Sequence, residues 1–232
     1  MALIYLYRND ENRFEIYDLN EDDQMPYVIM NSMSVAEFRG SSQSNVLWTT
    51  LDCIKAWNRT RTEFGPIPFR YAFKRIWEGG HGDQSQHYAG VAFDCGQVLT
   101  QEERNRLHTI ATRLDVWSYV EPLYLTPTWV HFDKRYGQSA CSAGYPLLRK
   151  GDRGIYVFIM QDALNALGYN TRFLDGDFGE RSEEALLRFQ SSHGLINDGI
   201  CGCETWRRLT SLAKGIGLTD TVIEPQRKKE YI

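Results

Sequence analysis

The 232-residue chain has no run approaching the ~20 apolar residues that a membrane-spanning helix needs. A leader pattern is missing too. Residues 1–7 are apolar, but Arg8 and Asn9 follow at once, with no basic segment before and no full apolar core after. Either a leader has been removed or the protein leaves its cell by another route, such as lysis. There is no basic excess: 26 Lys and Arg stand against 30 Asp and Glu, a net charge of -4. A nucleic-acid reader usually carries a basic surplus, so that class is set aside. The five cysteines (Cys53, Cys95, Cys141, Cys201 and Cys203) are odd in number and loosely spaced, which is no disulfide framework. Cys201 and Cys203 lack a second pair at zinc-finger spacing. Small buried residues or free thiols are the plain reading. One Cys141–Cys203 bridge fits their places near the two ends of a second domain.

What is present is globular. Apolar residues make up 42% and charged residues 24%, and the length suits one large or two modest domains. Residues 3–7 and 14–17 read as strands around the turn-prone Asn9-Asp10-Glu11-Asn12. Ser34 and Glu37 form a capping-box pattern. Leu47, Leu51, Ile54 and Trp57 recur at three or four residues, predicting one helix over 47–64, stopped by Gly65-Pro66-Ile67-Pro68. Residues 69–73 look like a strand. A glycine-rich loop at 78–84 precedes a buried strand at 91–94, and Thr100 caps a helix over 101–114. Strands follow at 116–120 and 128–132. The expected fold class is α+β, with helices on one small antiparallel sheet. Residues 137–144 read as a linker. Residues 145–214 form a second domain with helices at 154–167, 181–193 and 203–213, and residues 215–232 a tail. Asp-Gly-x-x-Gly occurs twice, at Asp175 and Asp198, each time before a helix.

Two stretches carry chemistry: Ser85-Gln86-His87-Tyr88-Ala89-Gly90-Val91-Ala92-Phe93-Asp94 and Trp129-Val130-His131-Phe132-Asp133. They offer two imidazoles and a carboxylate near strand ends, and catalytic zinc takes three such ligands and leaves one position for water. Strand alternation puts Trp129, His131 and Asp133 on one face. His108 and His193 read as structural. Cys95 points away from Asp94 by the same alternation, which counts against a cysteine nucleophile.

Ser85, His87, Gly90, Ala92 and Asp94, followed by His131, resemble the zinc D-Ala-D-Ala carboxypeptidase and L-Ala-D-Glu endopeptidase family, related to the hedgehog fold, over residues 35–136. The resemblance implies that His87, Asp94 and His131 bind zinc and that Lys74 or Arg75 grips a substrate carboxylate. Ser85 either donates to a ligand or substrate, or only holds its loop. The family carries a base two to six residues before the last ligand; residues 125–129 here hold none. Glu121 is the substitute of choice, with Asp133 and His81 behind it.

Residues 145–212 resemble the three-helix peptidoglycan-binding domain. The matching residues include Gly151, Gly154, Leu164, Leu167, Asp175, Gly176, Phe178, Gly179, Phe189, Gln190, Asp198, Gly199, Trp206 and Leu209. Asp175, Phe178 and Arg181 are candidates for its groove. Together the two resemblances imply an endolysin-like zinc peptidase acting on peptidoglycan stem peptides. It would be a D,D-carboxypeptidase or an L,D-type endopeptidase, extracellular or at the cell wall, and monomeric. Its anchor would raise the local substrate concentration. The alternative is an inactive wall-binding protein with a relic metal site. Carboxypeptidase versus endopeptidase, and cellular versus phage origin, stay open.

Overall fold

The computed structural model describes residues 1–141 and 144–217, so most of the expected tail lies outside the described residues. The chain divides into two compact units. The first comprises residues 1–74 and 85–137; the second comprises 75–84 and the residues from 138 onward. Segment 75–84 thus belongs with the second unit, although both its flanks belong to the first.

The first unit is mixed α+β with two small sheets rather than the single sheet expected. In one, β1 (Ala2–Arg8) pairs antiparallel with β2 (Arg13–Leu19) and parallel with β3 (Val46–Thr50). The single helix expected over 47–64 is corrected here. Val46-Leu47-Trp48-Thr49-Thr50 is β-branched and aromatic, is buried throughout, and pairs with β1 as a strand. Thr50 then ends the strand and caps α2 (Leu51–Phe64), its hydroxyl accepting from the Cys53 N–H at 3.1 Å. The helical spacing of Leu47 and Leu51 is a coincidence across two elements.

The other sheet has the order β4-β5-β7-β6, from β4 (Phe69–Tyr71), β5 (Ala92–Cys95), β6 (Tyr119–Val120) and β7 (Val130–Asp133), all antiparallel. α1 (Val35–Arg39) starts at the Ser34–Glu37 capping box. α3 (Gln101–Leu114) starts at an equivalent box between Thr100 and Glu103. Phe93 and Phe132 face each other across β5 and β7 and enter an aromatic core. Phe93 stacks on Trp57 at 4.6 Å, and Phe132 lies 4.3 Å from Trp117 between ring centres. Because side chains alternate, burying Phe93 and Phe132 on one face turns their neighbours Asp94 and His131 to the other.

The second unit holds α4 (Ile155–Ala166), α5 (Glu180–Ser192) and α6 (Cys203–Ala213). The repeated Asp-Gly turns have one construction. Buried Gln161 donates to the Asp175 carboxylate and the Ser182 hydroxyl, and accepts from the Gly176 N–H. Buried Gln190 donates to the Asp198 carboxylate and the Thr205 hydroxyl, and accepts from the Gly199 N–H. One amide thus satisfies each turn and the helix that follows it. Among the described residues no helix is long and apolar enough to cross a membrane.

Cys141 and Cys203 are joined in a disulfide with a sequence separation of 62, and Cys53, Cys95 and Cys201 are free and buried. Closing a loop of that length restricts the unfolded chain by about 4 kcal/mol. Reduction is therefore expected to lower the urea midpoint of the second unit, with no change in that of a Cys141→Ser/Cys203→Ser variant. Alkylation of the denatured chain should label three thiols without reductant and five with it.

Candidate metal centre

β5 and β7 set Asp94 directly opposite His131. Tyr71 on β4 pairs with Asp94 from the other side. The Glu121 N–H, at the end of β6, donates to the His131 carbonyl at 2.9 Å. The antiparallel register therefore continues, and Tyr71, Asp94 and His131 form a row across three strands, with Glu121, just past β6, next in register.

His87 reaches the row from a tight turn over residues 85–90. Backbone N–H groups of Tyr88, Ala89 and Gly90 donate to the carbonyls of Ser85, Gln86 and His87, each at 3.1 Å. β3 clamps this turn: the Trp48 indole donates to the Tyr88 carbonyl at 2.9 Å and the Thr49 hydroxyl to the Gly90 carbonyl at 2.7 Å. Gly90 has φ +65°, and a Cβ there would stand 1.9 Å from the Trp48 carbonyl oxygen. Only glycine fits, which explains its place in the motif.

One ligand atom each from His87, Asp94 and His131 lie within 4.8 Å of one another. His131 Nδ1 is 2.7 Å and His87 Nε2 3.4 Å from Asp94 Oδ1, and the two rings are 5.3 Å apart, edge to face. The other His131 nitrogen, Nε2, lies 3.4 Å from the fully buried Asp133 carboxylate, which is also held by Arg135 Nε at 2.7 Å. A histidine whose second nitrogen meets a carboxylate has its ring orientation and tautomer fixed, the usual support of a metal-binding imidazole. Two imidazoles and one carboxylate converging in this way suit zinc by donor type and number.

The electrostatics of the cluster follow from burial and pairing. Burial alone would raise the Asp94 carboxyl, but the hydrogen bonds and charges of His131 and His87 hold it far below the usual carboxylate range. Burial would likewise raise Asp133, and Arg135 and His131 reverse that. Burial would lower His131, but its bonds to Asp133 and Asp94 and their charges prevail, and its pKa is pushed up to about 9. Without metal, then, His131 keeps a proton between its ordinary 6.5 and about 9. That proton stabilises the fold below pH 6.5, and the stabilisation is lost as pH rises through 9. A metal must displace the same proton. Zinc affinity is therefore expected to climb about tenfold per pH unit up to pH 9 and to level off above it. Titration calorimetry in buffers of different ionisation heat should find about one proton released per zinc near neutral pH.

A cleft of about 310 Å³ opens beside the row, lined by Arg70, Tyr71, Asp94, Gln97, Thr128 and Trp129. A register irregularity between Phe69 and Tyr71 lets consecutive β4 residues border it. Arg70 is the cation on this lining and was missed in the sequence. Its only signal there was a charge inside a strand next to the metal motif. Arg75 is 2% exposed and ion-paired with Asp162 in the second unit, which corrects its reading as a substrate anchor. Lys74 is half-buried, its N–H donating to the His87 carbonyl at 3.3 Å. Ser85 accepts from the His87 N–H at 3.3 Å, a bond that holds the turn. His81 lies in segment 75–84. Cys95 is fully buried, and burial holds its thiol protonated.

In the second unit, Asp175 and Arg181 line a smaller cavity of about 140 Å³ with Thr171, Phe173, Asp177 and Glu180. Phe178 is wholly buried and belongs to the core, not to a groove.

Comparison with known proteins bears on this second unit. Residues 153–209 match the family described as "Putative peptidoglycan binding domain". The chain is 42% identical over 60 residues to the N-acetylmuramoyl-L-alanine amidase CwlM of Mycobacterium tuberculosis, which covers 26% of this chain and 15% of that protein. It is 38% identical over 68 residues to the N-acetylmuramoyl-L-alanine amidase CwlL of Bacillus licheniformis, covering 27% of this chain and 19% of that one. The chain thus spans less than a fifth of either relative. A solved peptidoglycan-binding protein from Clostridioides difficile shares 38% identity over 30% of this chain and 43% of its own, with a TM-score of 0.29. The chain carries a peptidoglycan-binding domain of that family, at residues 153–209.

Proposed function

We propose that the protein is a zinc-dependent peptidoglycan peptidase whose second unit, a three-helix wall-binding module, keeps it on its polymeric substrate. The observation that carries this reading is the convergence of His87, Asp94 and His131 beside an open cleft. Their donor set fits zinc, which when bound supplies Lewis acidity and lowers the pKa of a water. The rest falls to side chains of the chain itself. Asp133 holds the His131 ring so that Nδ1 is presented to the site. Glu121, next to His131 in register, takes the proton of the attacking water on its carboxylate and returns it to the leaving amine. Arg70, on the cleft wall, grips a carboxylate of the stem peptide. Tyr71 and Trp129 flank the chain of the substrate and keep bulk water from it.

The named activity of the two relatives, on the N-acetylmuramoyl-L-alanine amide, gives a second reading in which the same cluster cuts at the glycan end of the stem. Incubation with purified sacculi separates the readings. The peptidase reading expects zinc-dependent release of amines, with D-alanine or an internal stem residue newly exposed. A new L-alanine N-terminus would favour the amidase reading. Wall binding with no amine released, at any zinc level, would leave a binding protein alone.

A further inference from the structure

We propose that Tyr124 and Leu125, with Val98, form an apolar rim beside the cleft that takes the C–H face of a sugar ring, so that the metal centre acts on stem peptides still attached to their glycan strand. The proposal deepens the peptidase reading and rests on it.

Among the described residues from 32 to 137, three large apolar side chains stand exposed: Val98 at 82%, Tyr124 at 81% and Leu125 at 53%. Exposed apolar residues scattered singly need no explanation, but these are not scattered. Each lies a few residues from a side chain that lines the cleft. Val98 directly follows Gln97, and Tyr124 and Leu125 precede Thr128 and Trp129 in one loop.

Both segments are held in shape. The Gln97 amide donates to the Asp94 carbonyl at 3.0 Å, and the Leu99 N–H donates to the Gly96 carbonyl at 3.1 Å, which closes the turn that displays Val98. The other loop runs from Glu121 to Trp129. In it the Leu125 N–H donates to the Pro122 carbonyl at 2.9 Å and the Trp129 N–H to the Thr126 carbonyl at 3.3 Å, and the Thr126 side chain is buried between them. Tyr124 is thus presented by a shaped loop, and a tyrosine orders only two torsions on binding. The loop also stands close to the metal row. Burial, with the charge of Glu121 and the nearby Tyr124 hydroxyl, holds the Tyr119 phenol above its ordinary range, and the Tyr119 ring lies 6.4 Å from that of His131.

The chemistry of peptidoglycan selects the occupant. Its stem peptides carry small methyl groups and charged ends, which suit Arg70 and the cleft rather than an apolar rim. Its extended apolar surfaces are the C–H faces of the pyranose rings, whose hydroxyls lie at the edge. A tyrosine has the matching form, an apolar ring with a polar tip. The peptidoglycan-binding domain at residues 153–209 brings the chain to that same polymer.

The test compares two soluble substrates on the full zinc-loaded chain: a stem peptide on its disaccharide, and the same peptide free. The readout is the ratio of their kcat/KM values, with zinc content and circular dichroism measured alongside. Wild type should prefer the disaccharide-linked form. Tyr124→Ala should lower the ratio roughly 10-fold, the scale of losing one aromatic contact, through KM rather than kcat. Tyr124→Phe keeps the ring and should retain the preference. Val98→Ser/Leu125→Ser should lower the ratio a few-fold.

No preference for the disaccharide-linked substrate in wild type, or an unchanged ratio in Tyr124→Ala, would overturn the proposal. If Tyr124→Ala does not fold, an unchanged ratio in Val98→Ser/Leu125→Ser overturns it instead. Should wild type cleave neither substrate, the peptidase reading falls by itself, and nuclear magnetic resonance decides the rim. A shift of the Tyr124 ring signals on adding the disaccharide would support it, and no shift would overturn it.

Discussion

Replacing His131 by alanine should abolish stable zinc binding and, with it, peptide release from sacculi. Two supports vanish together in that variant: the Nδ1 that meets Asp94 and the ring that Asp133 orients. Loss of an outer support alone costs roughly 10–100-fold in metal affinity, so loss of a ligand should exceed 100-fold. The fold should survive. β7 enters the core through Val130 and Phe132, both fully buried, while the His131 side chain, 15% exposed, lies on the opposite face. The apo variant should also lose the pH-dependent stabilisation assigned to the His131 proton, so that its melting temperature no longer falls between pH 6.5 and 9. A variant that keeps zinc at wild-type affinity would show that the imidazole is no ligand.

The second large effect belongs to Glu121. Glu121→Gln keeps the size and hydrogen-bonding reach of the side chain and removes its basicity. Zinc should remain bound, and the rate of peptide release should fall ~10²–10⁴-fold, the usual contribution of a positioned base. The split between intact metal and lost turnover is the signature sought, because a merely structural glutamate would not produce it. Unchanged turnover would exclude Glu121. Asp133 would be a poor replacement, being fully buried and engaged by Arg135 and His131.

Much of this arrangement was legible in the residues because it depends on local rules. The Ser34–Glu37 box and the Thr100 cap announce their helices, and both form, the second as a full box with Glu103. The helix over 101–114 and that over 203–213 keep the bounds the periodicity gives. Alternation sets His131 apart from Val130 and Phe132, and the strand buries those two fully while His131 keeps some exposure; Asp133 is buried as well.

What failed to show were pairings between distant segments. β3 looked helical because apolar spacing cannot tell one helix from a strand running into a helix, and its pairing with β1 decides the matter from some 40 residues away. Arg75, with Lys74, looked like a substrate anchor only through the family resemblance. Its partner, Asp162, lies 87 residues downstream in a helix that is otherwise mostly apolar. The two-part second unit is of the same kind, fixed by closure in space rather than by any local signal.

X-ray absorption spectroscopy on the zinc-loaded protein tests the metal centre most directly. One zinc per chain is expected, in a shell of two imidazole nitrogens with oxygen at about 2.0–2.2 Å and no sulfur. A zinc shell without imidazole, or a wild-type chain that takes up no zinc at saturating concentration, would contradict it.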